Sequence, residues 1–138
     1  MTEMPASDIP WLESFEIGHA EIDRQHRQLI GALNALRSRL AGGEFDNARI
    51  DCLVLRDLLH RHLGYEERLL REVAFPSLDE HLASHHAARR ALDLLLSDCH
   101  DECRIGLSVD CPNRWVDLVL RKLILADLEF KSHLQARS

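Results

Sequence analysis

The segment LRDLLHRHLGYEERLLREVAFPSLDEHLASH, residues 55–85, combines leucines at helical spacing with histidines and carboxylates. Most of its leucines recur three or four residues apart, the spacing of one buried face of an α-helix. The pair Phe75–Pro76 interrupts this pattern, because proline removes a backbone donor and disfavours helix in the residue before it. We therefore predict that one helix ends and another begins here. The inward-facing leucines of the first are Leu55, Leu58, Leu59, Leu63 and Leu69.

The same periodicity extends outward on both sides of this segment. It predicts four amphipathic helices, at residues 17–40, 46–73, 80–102 and 113–134. Gly42 and Gly43 end the first helix, and Asp79 is the predicted N-cap of the third. Gly, Ser, Asp and Pro in residues 104–112 predict a loop before the fourth. Short connections between such helices favour an all-α, antiparallel up-down four-helix bundle. We assign residues 1–16 to an extended N-terminal arm and residues 17–138 to the bundle.

Composition limits the partners of this chain. With 138 residues and a formal net charge of -6, it has room for one domain and lacks the basic face that nucleic acid requires. No apolar run is long enough for a membrane span, and the N-terminus does not resemble a signal peptide. We therefore predict a cytoplasmic protein without nucleic-acid or membrane partners. Its cysteines are then expected to be mostly reduced thiols: Cys52, Cys99, Cys103 and Cys111.

Histidines and carboxylates occur in pairs one helical turn apart. His62 and Glu66 are four residues apart, as are His81 and His85, so each pair projects from one face of its helix. Imidazole and carboxylate ligands together suit iron, zinc or manganese, and bundle cores commonly gather such ligands from facing helices. Each pair is thus a candidate part of a metal site.

Two further polar residues lie on apolar helix faces and complete this set. His26 belongs to the first predicted helix, and Asp127 lies between Ile124 and Leu128 on the fourth. An unpaired carboxylate in an apolar interior is energetically costly, so its burial calls for a cation or hydrogen-bond donors. We therefore predict that His26 and Asp127 join the two pairs.

Taken together, these motifs resemble the hemerythrin family in its bacterial form. Trp11 is followed by an Ile22–Asp23 pair and then by His26; HLGYEE, residues 62–67, is similar to the family's HxxxEE motif; and FP at 75–76 followed by HLASH at 81–85 is similar to its loop and HxxxH motif. The resemblance covers nearly the whole chain, from Trp11 to about Leu134.

The resemblance implies a site of two non-haem irons with an oxo or hydroxo bridge. His26 and His62 would bind the first iron, and His81 and His85 the second. Glu66 and Asp127 would bridge the two irons. The family usually carries a further histidine five positions before this aspartate, but here that position is Lys122.

Several roles for Lys122 remain open at the level of sequence. A protonated lysine has no lone pair for a metal, so direct ligation would need a strongly lowered pKa. Alternatively, Lys122 donates a hydrogen bond into the ligand pocket, beside an iron with an additional open position. It can also replace the charge of one metal, leaving a single iron, or extend along the bundle until its charge reaches solvent.

The leading functional hypothesis is a diiron protein that binds dioxygen, or a related diatomic or peroxide ligand, for storage, delivery or sensing. An electron donor is a further candidate partner. The predicted apolar walls of the ligand pocket are Leu29, Leu33, Leu59 and Leu123. One alternative is a diiron oxidase, a peroxidase or a nitric-oxide-handling enzyme with an opened iron site, and another is a metal-poor signalling bundle.

Overall fold

The computed structural model describes residues 8–105 and 111–136, without the side chains of residues 99–105 and 136. Within this part the chain is an all-α four-helix bundle, which confirms the predicted fold class. Helix α1 is Ala20–Ala41, α2 is Phe45–Glu72 and α3 is Leu78–Ile105. The fourth arm begins with α4, Cys111–Val116, and ends with α5, Lys131–Ala136. Between them lie a π-helical segment, Asp117–Leu125, and a 3₁₀ turn, Leu128–Phe130.

Each of the long helices packs against the next one in the chain, and the fourth arm packs against both α3 and α1. This arrangement closes the bundle around a core of aliphatic side chains, as the leucine periodicity predicts. Within residues 8–105 and 111–136, no helix combines the length and the apolar character needed to cross a membrane.

The start of α1 is fixed by Asp23. Its carboxylate accepts hydrogen bonds from the backbone N–H groups of Ile17 and Gly18, at 2.8 and 3.1 Å. Gly18 has a φ of 87°, a conformation that side-chain-bearing residues rarely adopt. His19 is the N-cap of α1, since its side chain accepts a hydrogen bond from the N–H of Ile22. The helix therefore begins at Ala20, a few residues later than predicted.

Two other boundaries differ from the sequence predictions. Helix α3 begins at Leu78, so Asp79 lies inside its first turn and the N-cap prediction is wrong. Asp79 still complements the helix dipole there. The loop predicted at residues 104–112 is shorter at both ends. Arg104 and Ile105 belong to α3, while Cys111 and Pro112 begin α4. Residues 106–110 of that loop lie outside the described part of the chain.

The fourth arm also differs from a regular α-helix. Its central nine residues, Asp117–Leu125, have π-helical hydrogen bonding, which widens the turn and changes the direction of successive side chains. The sequence there has no Gly or Pro, so nothing in the α-type pattern indicated this irregularity. It ends two residues before Asp127.

The core has two apolar parts. The larger cluster includes Leu29, Leu59, Leu63 and Leu123. The smaller cluster, at the other end, consists of Ile17, Ile22, Leu70, Phe75 and Phe130, with partly buried neighbours. On α1, α2 and the fourth arm, a predicted site residue lies in the sequence between one residue of the larger cluster and one of the smaller. These site residues are His26, Glu66 and Asp127. The polar site is therefore enclosed by apolar packing on both sides.

Candidate metal centre

Six buried polar side chains converge between the two apolar clusters. They are His26 of α1, His62 and Glu66 of α2, His81 and His85 of α3, and Asp127 of the fourth arm, and none is more than 1% exposed. Among the residues that the structure describes, the only other buried polar residue is Asp23, whose carboxylate is satisfied by backbone donors. The six predicted ligands are therefore brought together in one place.

The histidines form two pairs on opposite sides of the carboxylates. Nε2 of His26 and Nε2 of His62 lie 3.1 Å apart, and both approach Oδ2 of Asp127, at 2.8 and 3.1 Å. His81 faces the other oxygen of the same carboxylate, with Nε2 lying 3.4 Å from Oδ1. Asp127 thus directs one oxygen toward each histidine pair.

Glu66 divides its oxygens in the same way. Oε2 lies 2.8 Å from Nε2 of His62 and 3.9 Å from that of His26. Oε1 lies 3.0 Å from Nε2 of His85 and 3.4 Å from that of His81. The donor atoms consequently form two groups of four residues, which share Glu66 and Asp127. Two adjacent cations linked by two carboxylates fit this arrangement.

The outer nitrogens of three histidines are held by acceptor oxygens. Nδ1 of His62 donates to Oε1 of Gln25 at 2.7 Å, and Nδ1 of His85 donates to Oε2 of Glu67 at 2.9 Å. Nδ1 of His81 donates to Oε1 of Glu129 at 2.5 Å. A proton on Nδ1 leaves a lone pair on Nε2 in neutral imidazole, the tautomer that binds metals through Nε2.

These outer contacts were missed by the sequence analysis. Gln25, Glu67 and Glu129 adjoin or closely follow the predicted ligands, but sequence does not show which of them bends toward a histidine on another helix. Glu67 is itself fixed by a 2.6 Å hydrogen bond from Arg89. Burial alone would raise the pKa of Glu67, but its hydrogen bonds from His85 and Arg89 outweigh that effect and lower it. Glu67 therefore remains a charged acceptor for His85.

In the chain without metal, burial disfavours the charged forms of several groups in the cluster. Burial and the neighbouring Asp127 raise the pKa of Glu66 well above its usual value. Burial would also raise the pKa of Asp127, but hydrogen bonds with Glu66 and the histidines hold it well below its usual value. Burial lowers the pKa of His26 and, despite Glu67, that of His85. The cluster thus opposes both the charging of Glu66 and the protonation of these two histidines.

His81 is the exception among the histidines. Burial would lower its pKa, but hydrogen bonds with Asp127, Glu66 and Glu129 raise it to about 10. A proton on His81 therefore supplies part of the charge that the carboxylates require. Nδ1 of His26 is nevertheless buried without a hydrogen-bond partner in the described part of the chain. Buried groups of this kind are costly unless something else compensates them, and divalent cations fit this donor set.

Comparison with known proteins supports the same interpretation as the geometry, a metal-binding cluster. Residues 18–128 match the family profile described as hemerythrin HHE cation binding domain. The chain belongs to the hemerythrin family. It is also 32% identical over 118 residues to a bacteriohemerythrin of Stenotrophomonas maltophilia (strain R551-3), across 77% of this chain and 70% of that protein. No solved structure matches it significantly. Membership of the hemerythrin family implies the binding of non-haem iron, and the buried cluster has the groups to hold a metal.

Lys122 lies away from this cluster. Its side chain is 48% exposed, and Nζ lies 4.0 Å from Oδ2 of Asp117 on the outer side of the fourth arm. It also lines a surface cavity with Leu94 and Arg114. Of the alternatives open from sequence, this geometry corresponds to the one in which the lysine charge reaches solvent. Lys122 therefore supplies no donor atom to the cluster.

The predicted pocket leucines are all interior. Leu29, Leu33 and Leu123 are fully buried, and Leu59 is 1% exposed. All four belong to the larger apolar cluster, which adjoins the polar site. Of the cysteines, Cys52 and Cys111 are buried, whereas the side chains of Cys99 and Cys103 lie outside the described part of the chain.

Proposed function

We propose that the six-residue cluster binds two iron ions, and that dioxygen binds there for storage, delivery or sensing. The observation that carries this proposal is the division of the carboxylates. Glu66 and Asp127 each direct one oxygen to the His26–His62 pair and the other to the His81–His85 pair. A single cation would not use both sides of both carboxylates. Ferrous iron, when bound, supplies the electrons that reversible dioxygen binding requires.

The protein's own residues would prepare the site for that ligand. Gln25, Glu67 and Glu129 fix the orientation of three histidines before a metal arrives, which reduces the cost of ordering them. The buried leucines, including Leu29 and Leu123, would exclude water and favour an apolar diatomic ligand over ions. Exclusion of water would also limit the access of solvent protons to the cluster.

An oxidase, a peroxidase or a nitric-oxide-handling enzyme is the second candidate. It is favoured by one specific observation, the outward position of Lys122, because the described residues then give the cluster four histidines and no nitrogen donor from the fourth arm. A metal with fewer protein donors keeps an additional position for water or a substrate. The third candidate, a metal-poor signalling bundle, requires that the cluster bind no iron.

One experiment separates these candidates. The chain is loaded with ferrous iron anaerobically, iron per chain is measured, and optical spectra are recorded on adding and then removing oxygen. Two irons with a reversible oxygen-dependent band support the oxygen-binding protein, whereas two irons with irreversible conversion to a ferric spectrum support the enzyme. A chain that binds no iron would contradict both and leave the signalling bundle.

The histidine-rich sequence provides a matched control for this measurement. His62→Ala removes a proposed ligand, whereas His60→Ala removes an exposed histidine two residues earlier on the same helix. Iron content should fall in the His62 variant and stay at the wild-type level in the His60 variant. An equal loss in both variants would show that the substitutions act on α2 and not on a metal site.

A further inference from the structure

A small polar cavity lies outside His62, on the surface between α1 and α2. Its volume is about 230 Å³. The lining residues comprise three arginines, Arg24, Arg61 and Arg68, together with Gln25, Gln28, Leu58, His62 and Tyr65. No carboxylate is among them, although the chain as a whole has a net charge of -6. A concentration of positive charge on an acidic protein indicates an anionic ligand.

The lining follows from residue spacing on the two helices. On α2, Arg61, Tyr65 and Arg68 are separated by four and three residues, so they form one stripe along the helix. On α1, Arg24 and Gln28 are four residues apart and form the opposing stripe. The two stripes place guanidinium, amide and phenol groups around one concavity, and all of these groups can donate hydrogen bonds.

The arginines differ in how well they are already paired. Arg24 makes a bidentate contact with Glu21, with N–O distances of 2.6 to 3.0 Å. Among the side chains of residues 8–98 and 111–135, no carboxylate oxygen lies within 4.0 Å of Arg61 or Arg68. Both are exposed, so their planar donor groups remain available for a ligand that enters the cavity.

We propose that Arg61 and Arg68, with Gln28 and Tyr65, bind a small divalent oxyanion of the sulfate or hydrogen phosphate type. Guanidinium groups bind tetrahedral oxyanions through paired, charge-assisted hydrogen bonds. The cavity is smaller than the roughly 300–1,000 Å³ typical of sites for drug-sized ligands, which favours a free ion over a nucleotide. The cavity adjoins the candidate metal centre, because Gln25 both lines the cavity and accepts the hydrogen bond of His62.

The test is a calorimetric titration of the iron-loaded protein with sodium sulfate. Ionic strength is kept constant with sodium chloride, so that general screening does not change during the titration. Sulfate should bind saturably to the wild-type chain. The double variant Arg61→Gln/Arg68→Gln should bind it at least about tenfold more weakly, because each charge-assisted hydrogen bond is worth about that factor or more.

Arg90→Gln is the matched control, since Arg90 is an exposed arginine of α3 outside the cavity. Its affinity for sulfate should equal that of the wild type. Sulfate binding that persists in the double variant, or falls equally in Arg90→Gln, would overturn the proposal, as would the absence of saturable binding to the wild type. Repeating the titration on the metal-free chain separates this site from the proposed iron centre, because the arginine site should bind sulfate whether or not iron is present.

Discussion

Glu66 and Asp127 lie side by side in the interior, and each contacts histidines of both pairs. Oε2 of Glu66 lies 2.8 Å from His62, and Oε1 lies 3.0 Å from His85. Oδ2 of Asp127 lies 2.8 Å from His26. Without a cation, two adjacent carboxylates in an apolar interior cannot both be charged at low cost, which is why their pKa values move in opposite directions. The same pairing becomes favourable once cations lie between the carboxylates and the histidines.

Substitution of Glu66 by glutamine should separate metal binding from folding. Because the raised pKa of Glu66 favours its protonated form, glutamine resembles the side chain of the metal-free protein. We expect the free energy of unfolding of the metal-free chain to change by less than about 1 kcal/mol. Iron content, measured by metal analysis, should fall from two per chain to one or fewer. The free energy of unfolding is measured by urea denaturation. Glu72→Gln, at an exposed position near the end of α2, is the control. Full iron content in Glu66→Gln would refute the bridging role.

Gln25 should act as a positioning residue for His62. Its Oε1 accepts the hydrogen bond from Nδ1, so Gln25→Leu frees the imidazole to rotate or change tautomer. We expect about a 10- to 100-fold loss of iron affinity, measured by competition with a chelator. Gln25→Glu retains an acceptor oxygen and should keep most of the affinity. Gln28→Leu, one turn later on α1, removes an amide that does not contact His62, so it should leave iron affinity unchanged.

Removal of the Lys122 ammonium should leave the metal centre unaffected. The side chain is 48% exposed and pairs with Asp117 outside the cluster, so Lys122→Ala removes only a weak surface contact. Iron content and the lifetime of the oxygen-bound form should match those of the wild type, measured by metal analysis and stopped-flow absorbance. A clear change in either would mean that the ammonium reaches the cluster when iron is bound.

The contrast between Lys122 and the predicted ligands shows which features the sequence could predict. His62 and Glu66, or His81 and His85, lie four residues apart on regular α-helices, so their common direction follows from spacing alone. Lys122 and Asp127 lie five residues apart, which places their side chains about 140° from each other on an α-helix. The π-helical hydrogen bonding of Asp117–Leu125 changes that angle, and the segment packs against both α3 and α1. Apolar periodicity identifies the helix but not this local change of register.

Removal of the metal should destabilise the protein measurably. If iron binds the folded chain only, the stabilisation is about 4 kcal/mol at a free concentration of a thousand times Kd. For a chain of this size that corresponds to a rise in Tm of roughly 10 °C, measured by calorimetry with and without ferrous iron. His85→Ala should reduce the difference, whereas His86→Ala, at the exposed neighbouring position, should preserve it. Equal Tm values for the loaded and metal-free wild type would contradict a buried metal centre.

The metal-free chain should lose stability as pH rises through the alkaline range. The pKa of His81 is raised to about 10 in the folded state by its carboxylate partners, against about 6.5 for an unperturbed histidine. A raised pKa stabilises the fold fully below the unfolded value, and that contribution disappears as pH approaches the folded value. The free energy of unfolding, measured by urea denaturation, should therefore fall between about pH 6.5 and 10. His81→Gln cannot take up this proton, so its stability should vary less over the same range. If the free energy of unfolding falls equally with pH in the wild type and in His81→Gln, the pH dependence belongs to other groups. If the wild type and the variant differ only in the metal-free form, iron replaces the proton on His81.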